Sequence, residues 1–184
     1  MNSALTLKNR IIFTAIVALL IWTNLAWDYF HDGVPTHYLL HRKDLPGISN
    51  WWGGIAIPLL TWFLLYRIKR RTYDKGINEA SNTSKRVTYG FIGALLIGIL
   101  MSFFFTIGTD VPGYMIIGLF ILSFFIPIYR AEHLLGFVLG MVYTFGGILP
   151  ILFGSIFVLI FAIDYLAIRS FILYLISKTS SGKS

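Results

Sequence analysis

Three of the chain's four histidines, His31, His37 and His41, lie within eleven residues of each other. Thr36 is a residue type that caps helix N-termini, and Pro46-Gly47 is a pair that ends helices, so the spacing predicts a short helix between them. On such a helix His37 and His41, four residues apart, share one face. We therefore predict a site for a divalent metal such as zinc, with His31 or an aspartate as third ligand and a fourth position open to water.

Two acids next to these histidines are candidate catalytic groups. Asp32 and Asp44 lie within the same segment, residues 28–48, which we call the histidine loop. A metal-bound water becomes a nucleophile near neutral pH when a nearby base takes its proton. The His-x-x-x-His spacing lacks the Glu of the zinc-protease helix, so the reaction type stays open.

Lipid headgroups are a second candidate ligand for the same segment. Arg42 and Lys43 can grip phosphate, and Trp51 and Trp52 are side chains that favour the headgroup region of a bilayer. Asn24, near the end of the first apolar stretch, can hydrogen-bond a neighbouring helix or reach the loop. The same residues also fit an interfacial loop that holds no site.

Few polar residues interrupt the apolar stretches, and each one is a functional candidate because burying it in lipid is costly. Asp164 lies well inside the last stretch. We expect it to pair with Arg169, or with Arg130 and His133 at the preceding turn. A structural ion pair is the favoured interpretation, and a proton or ion relay is the alternative.

The composition places these candidates in a membrane protein. Hydrophobic residues make up 57% of the 184 residues and charged residues 12%, about half of the charged share of a soluble domain. The absence of cysteine excludes disulfides, thiolate metal sites and iron–sulfur clusters. We predict an all-α bundle forming a single integral membrane domain. Its six predicted spans, or five in an alternative division, cover residues 11–27, 49–66, 87–107, 111–129, 134–149 and 151–173.

The distribution of cations predicts the orientation of the bundle. With the N-terminus inside, 13 of the 15 Lys and Arg residues fall on the inner face, many of them in a predicted basic inner loop at residues 67–86. We therefore expect both termini in the cytoplasm of a bacterial inner membrane and the histidine loop outside. The basic residues are those that the topology requires, so nucleic acid is not an expected partner.

Glycines within the later stretches indicate close helix packing. Gly136-x-x-x-Gly140 fits contact between helices, either inside the chain or between copies in a homo-oligomer, and internal packing is the favoured interpretation.

Three classes of function follow from these patterns. The first is an enzyme or binding site at the histidine loop that acts on a lipid or another membrane-borne substrate. The second is a channel or transporter for ions or small solutes, and the third is a non-catalytic partner of a membrane complex. The first is favoured because the densest group of titratable residues lies at one predicted membrane surface.

Overall fold

The computed structural model describes residues 6–31, 33–38, 44, 47–73 and 77–181. The helices are α1 (Leu7–His31), α2 (Gly53–Tyr73), α3 (Ile77–Thr106), α4 (Val111–Ser123), α5 (Ala131–Phe145), α6 (Ile148–Ile163) and α7 (Arg169–Ser181). Between α1 and α2 lie two short strands, β1 (Thr36–Tyr38) and β2 (Gly47–Ser49), and a 3-10 turn, Asn50–Trp52. A π-helical segment, Asp164–Ile168, joins α6 to α7.

The predicted all-α class is confirmed, and several helices are suited to a membrane. Among the described residues, four helical segments are long and apolar enough to cross one: Leu7–His31, Asn50–Thr72, Asn82–Thr106 and Ile148–Lys178. The helices α4 and α5 are apolar but shorter, at 13 and 15 residues. At a rise of 1.5 Å per residue, α4 is about 20 Å long, less than the roughly 30 Å of a hydrocarbon core.

The end of α4 differs from the prediction of a span over residues 111–129. The helix ends at Ser123, and residues 124–129 form turns. Pro127 has no N–H to donate, and its ring disfavours the helical conformation of the preceding Ile126. A proline near the end of an apolar run therefore shortens the helix.

Most of the predicted basic inner loop at residues 67–86 is helical. The helix α2 continues to Tyr73 and α3 begins at Ile77. Lys, Arg, Glu and Ala have high helix propensity, so the helices extend beyond their apolar parts.

The last long apolar stretch is divided a few residues before the predicted division between residues 149 and 151. The helix α5 ends at Phe145 and α6 begins at Ile148. Gly146 separates them with a left-handed φ of 69°, a conformation that favours glycine.

The closest helix contact joins α3 to α5, which run parallel. A Cβ on Gly136 would lie 2.3 Å from the carbonyl oxygen of Phe91, and one on Gly140 would lie 2.5 Å from that of Leu95. The Ser102 hydroxyl donates to the Gly140 carbonyl at 3.4 Å. The Gly136-x-x-x-Gly140 face is thus occupied by α3 of the same chain.

Two contacts bring the ends of α2 against the ends of α5. At what we call the basic end, Arg71 in the last turn of α2 pairs with Glu132 in the first turn of α5. At what we call the loop end, the side-chain oxygen of Asn50 accepts a 3.0 Å hydrogen bond from the Gly147 N–H, just beyond α5. These two ends hold the candidate sites.

Candidate functional site

Within the histidine loop, a strand lies where the short helix was predicted to begin. Thr36–Tyr38 pairs antiparallel with Gly47–Ser49, and His37 lies opposite Ile48. Gly47 permits this pairing because a Cβ there would lie 2.7 Å from the Thr36 methyl carbon. His37 therefore lies in a strand. The predicted helix that would place His37 and His41 on one face does not begin at this residue.

The described part of the loop contains no assembled metal site. No three His, Cys, Asp or Glu side chains come together within the described ranges. His31 stacks on the Trp27 ring at 4.0 Å between ring centroids, and its Nδ1 lies 2.9 Å from the Trp27 carbonyl oxygen. Asp44 is exposed in a turn.

Four of the residues predicted for this loop lie outside the described residues: Asp32, His41, Arg42 and Lys43. The structure places His37 by its strand position. The zinc site and the headgroup site of the loop therefore stay predictions.

The other predicted residues of the loop end lie around an aromatic cluster and a small cavity. Trp51 is 43% exposed and Trp52 63%. The Trp51 ring lies 6.1 Å from that of Trp22, whose indole N–H donates to the Gly54 carbonyl at 3.1 Å. Exposed tryptophans at a helix end are typical of a membrane interface.

Asn24 points to an acid of its own helix and not to the histidine loop. Its Nδ2 donates to Asp28 Oδ2 at 3.4 Å. Together with the buried Asn50, Asn24 lines a cavity of about 200 Å³ between α1, α2 and the α5–α6 turn. Two amide side chains thus contribute to the wall of this cavity, and one of them is hydrogen-bonded to an acid.

Asp164 is buried, as expected, but its predicted ion pairs are wrong. Within the described residues no salt bridge joins it to Arg169, Arg130 or His133; its Oδ2 instead lies 3.0 Å from the Ser123 hydroxyl, which donates to it. The Arg169 guanidinium lies over the Tyr165 ring, 4.9 Å from the centroid. The π-helical segment that starts at Asp164 changes the angular spacing between residues 164 and 169, so the helical positions assumed for an ion pair do not hold.

A buried acid at the basic end was not predicted as a site. Glu132 is 2% exposed; its Oε1 accepts a 2.8 Å charged hydrogen bond from Arg71, and its Oε2 has no partner within the described residues. His133 Nδ1 lies 4.0 Å from the same Oε1 and is also without a hydrogen bond there. The sequence signal was present: an acid and a histidine directly precede an apolar run and follow Arg130, which precedes α5.

Arg10, a cation between α1 and α2, was likewise not predicted to be buried. Arg10 is 5% exposed, and its guanidinium lies 4.1 Å from the centroid of the Trp62 ring. Its Nη2 donates to the Trp62 carbonyl at 3.3 Å. The aromatic face compensates part of the cost of burying this charge.

An apolar cleft lies next to the Glu132 and His133 pair. It has a volume of about 190 Å³, and we call it the α3–α6 cleft because α3, α4, α5 and α6 form its walls. Apolar side chains, including Phe137, Phe157 and Phe161, make most of its surface, and His133 lines the same cavity. Gly90 and Gly93 of α3 leave room for it.

The walls of the α3–α6 cleft determine what it can hold. An apolar cavity of about 150 Å³ stays dry and accepts small apolar ligands, so a cleft of this kind favours hydrocarbon over water. His133 adds one group that can donate or accept a hydrogen bond or carry a positive charge. The arrangement therefore fits a ligand with an apolar body and one polar group.

Comparisons with known proteins do not assign this site. The scan against protein-family models finds no match, and neither do the searches of curated proteins and of solved structures.

Proposed function

We propose that the chain is a multi-pass membrane protein that binds a lipid, or another membrane-borne ligand, with its acyl chain in the α3–α6 cleft. The observation that carries the proposal is the apolar cavity of about 190 Å³ with His133 in its wall. The ligand class is the one expected from the sequence, and the site lies at the other end of α5 from the loop end. The histidine loop remains a second proposed location for an enzyme active site, with His31, His37 and His41 as its metal ligands.

An acyl chain fits better than a soluble metabolite because of the polarity of the walls. The cleft offers a soluble metabolite few hydrogen bonds, since most of its lining is aliphatic or aromatic. In a bilayer the acyl chain already lies in hydrocarbon, so its binding to the cleft depends on van der Waals contact with the walls and not on transfer from water. Tyr89 and Ile126, which are exposed, also line the cleft and give it an edge on the outer surface of the bundle.

We also propose six crossings with both termini in the cytoplasm of a bacterial inner membrane. Support comes from the cations, which the positive-inside rule assigns to the cytoplasm. Arg71 and Arg130 belong to the basic end, where α2 finishes and α5 begins. Self-association through the glycine-containing helices is proposed to use Gly113 of α4, whose Cβ position is open.

A transporter is the second candidate, and one observation favours it. Asp164 is 7% exposed, begins a π-helical segment and hydrogen-bonds Ser123. Buried acids in membrane helices serve proton and ion pathways, and π segments are common at functional sites. The hydrocarbon lining of the neighbouring cleft favours lipid binding over solute flux.

The acyl-chain proposal is tested by filling the cleft. Gly93 lies in the wall of the cleft, and a Cβ there would meet nothing within 4 Å. The side chain of Gly93→Leu can therefore project into the cavity. The leucine side chain occupies space that the acyl chain would fill, so we expect labelling by a photoreactive acyl chain in phosphatidylcholine vesicles to fall severalfold. The matched control is Gly118→Leu, which is equally unhindered and lies outside the cleft lining. Equal labelling of the two variants and the wild type would refute the proposal.

A further inference from the structure

We propose that the lipid in the α3–α6 cleft is anionic, and that its phosphate binds at the basic end of the cleft between Arg86 and His133. This inference rests on the proposed function, because it names the headgroup of the ligand whose acyl chain the cleft would hold. It goes further in assigning a phosphate site to two residues on different helices. Neither residue was expected from the sequence to bind a headgroup.

Arg86 continues the face of α3 that lines the cleft. Tyr89, Gly90 and Gly93 line it, and Arg86 precedes them by three, four and seven residues. Residues at these spacings share one side of a helix. Arg86 is exposed and lies one turn before the first cleft-lining residues, on the side toward the N-terminus of α3.

His133 meets this face of α3 from the other side. A Cβ on Gly90 would lie 3.0 Å from His133 Nε2, so the imidazole lies against the bare backbone of that glycine. Its other nitrogen, Nδ1, is the buried atom near Glu132. The Nε2 edge is therefore the part of the ring beside the cleft-lining face of α3, one helical turn from Arg86.

The charges around this end of the cleft favour an anion. Glu132 is already paired with Arg71, and the Asp164 carboxylate accepts the hydrogen bond from Ser123. Arg130 and Arg71 are both close enough to act electrostatically on His133. Two described cations, Arg71 and Arg130, and one described acid, Glu132, thus act electrostatically on His133, and Arg130 is the one without an ion pair among the described contacts.

A phosphate suits these two donors better than a neutral headgroup does. It has several acceptor oxygens, so it can accept hydrogen bonds from a guanidinium and an imidazole at the same time. In a bilayer, phosphates lie at the ends of the acyl chains, which is also where a helix changes from apolar to basic residues. On α3 this change falls between Arg86 and the glycines of the cleft.

The test compares two photoreactive lipids that carry the same acyl chain, one a phosphatidic acid and the other a phosphatidylcholine, in neutral carrier vesicles. A cation near the membrane surface contributes about 1 kcal/mol to binding an anionic lipid, so we expect the wild type to label about fivefold more with phosphatidic acid. Arg86→Gln should reduce this preference to near one, with unchanged labelling by phosphatidylcholine. Arg86→Lys, which keeps the charge, should retain most of it.

The matched control is Arg67→Gln, the same loss of charge at an exposed position on α2 outside the cleft lining. It should keep the wild-type preference, and equal losses in Arg67→Gln and Arg86→Gln would overturn the inference by showing a general surface-charge effect. Absence of any preference in the wild type would also overturn it, yet would leave the acyl-chain proposal intact as long as Gly93→Leu still blocks labelling. Suppression of the preference by millimolar inorganic phosphate would show a site for free phosphate and would overturn the assignment to a lipid headgroup.

Discussion

The basic end and the loop end hold the same two helices together by different chemistry. At the basic end a buried Glu132 pairs with Arg71, whereas at the loop end Asn50 accepts a hydrogen bond from a backbone N–H. Removing one partner of a buried ion pair leaves a charge without compensation, which costs far more than the loss of a neutral hydrogen bond. The basic end is therefore the region in which a single substitution has the larger effect.

The two ends also differ in what lies beside these contacts. The basic end adjoins a cleft lined with hydrocarbon, and His133 belongs to both the cleft and the polar contact. The loop end has exposed tryptophans and a cavity that contains two amides. The basic end therefore specifies a ligand more fully. Its apolar cavity selects the hydrocarbon part of the ligand, and the titratable His133 selects the polar part.

The largest effect that we predict is at the basic end. Glu132→Ala should reduce the free energy of unfolding by about 3 kcal/mol, because Arg71 loses its partner and the buried site gains a void. Denaturant titration in detergent micelles measures the change. Arg70→Ala, which removes an exposed cation one residue away, should change it by less than about 0.5 kcal/mol. Similar values for the two variants would mean that the Glu132–Arg71 pair does not stabilise the fold.

A smaller effect is expected at the loop end. Asn50→Ala should cost about 1.5 kcal/mol, since the Gly147 N–H would be left without its buried acceptor. The same titration measures this loss. Asn50→Asp, which retains an acceptor oxygen, should be less destabilised than Asn50→Ala at neutral pH. A loss for Asn50→Ala as large as that for Glu132→Ala would remove the energetic difference between the two ends.

The smallest effect should be that of His31→Ala. The side chain is exposed, and its contacts are to Trp27 of the same helix, so we expect a change below about 0.5 kcal/mol. Calorimetric titration with zinc then tests whether His31 binds a metal, independently of its effect on stability. If the histidine loop holds the predicted metal, zinc binding should weaken in His31→Ala and be lost in His37→Ala and His41→Ala. Unchanged binding in all three variants would eliminate the loop as a metal site.

Hydropathy, together with the glycine and proline residues that end helices, predicted much of the fold. The apolar runs correspond to the helices, and α5 ends at Phe145, a few residues before the predicted division. The differences are local: the predicted span over residues 111–129 included Pro127, and residues 67–86 were predicted as a loop although most of them are helical. In both cases the helix ends were predicted from the ends of the apolar runs, whereas backbone hydrogen bonding and helix propensity decide them.

The candidate site was less predictable than the fold. Counting titratable residues drew attention to the histidine loop, because three histidines are close in sequence. The cleft is formed by residues from four helices. Gly90 and Gly93, which leave space in its wall, carry no functional group. Proximity in sequence identifies a site on one loop, but it does not identify a cavity between helices.

The amino-acid sequence by itself determined that this chain belongs in a membrane, since a hydrocarbon solvent is the only one that suits so many apolar residues and satisfies helices internally. Only the tertiary structure decided that Glu132 faces Arg71 and that His133 faces an apolar cleft. The physical reason is that apolar stretches are recognised one helix at a time, whereas ion pairs and cavities depend on how helices are rotated and packed. That packing is set by close backbone contacts such as Gly136 against Phe91.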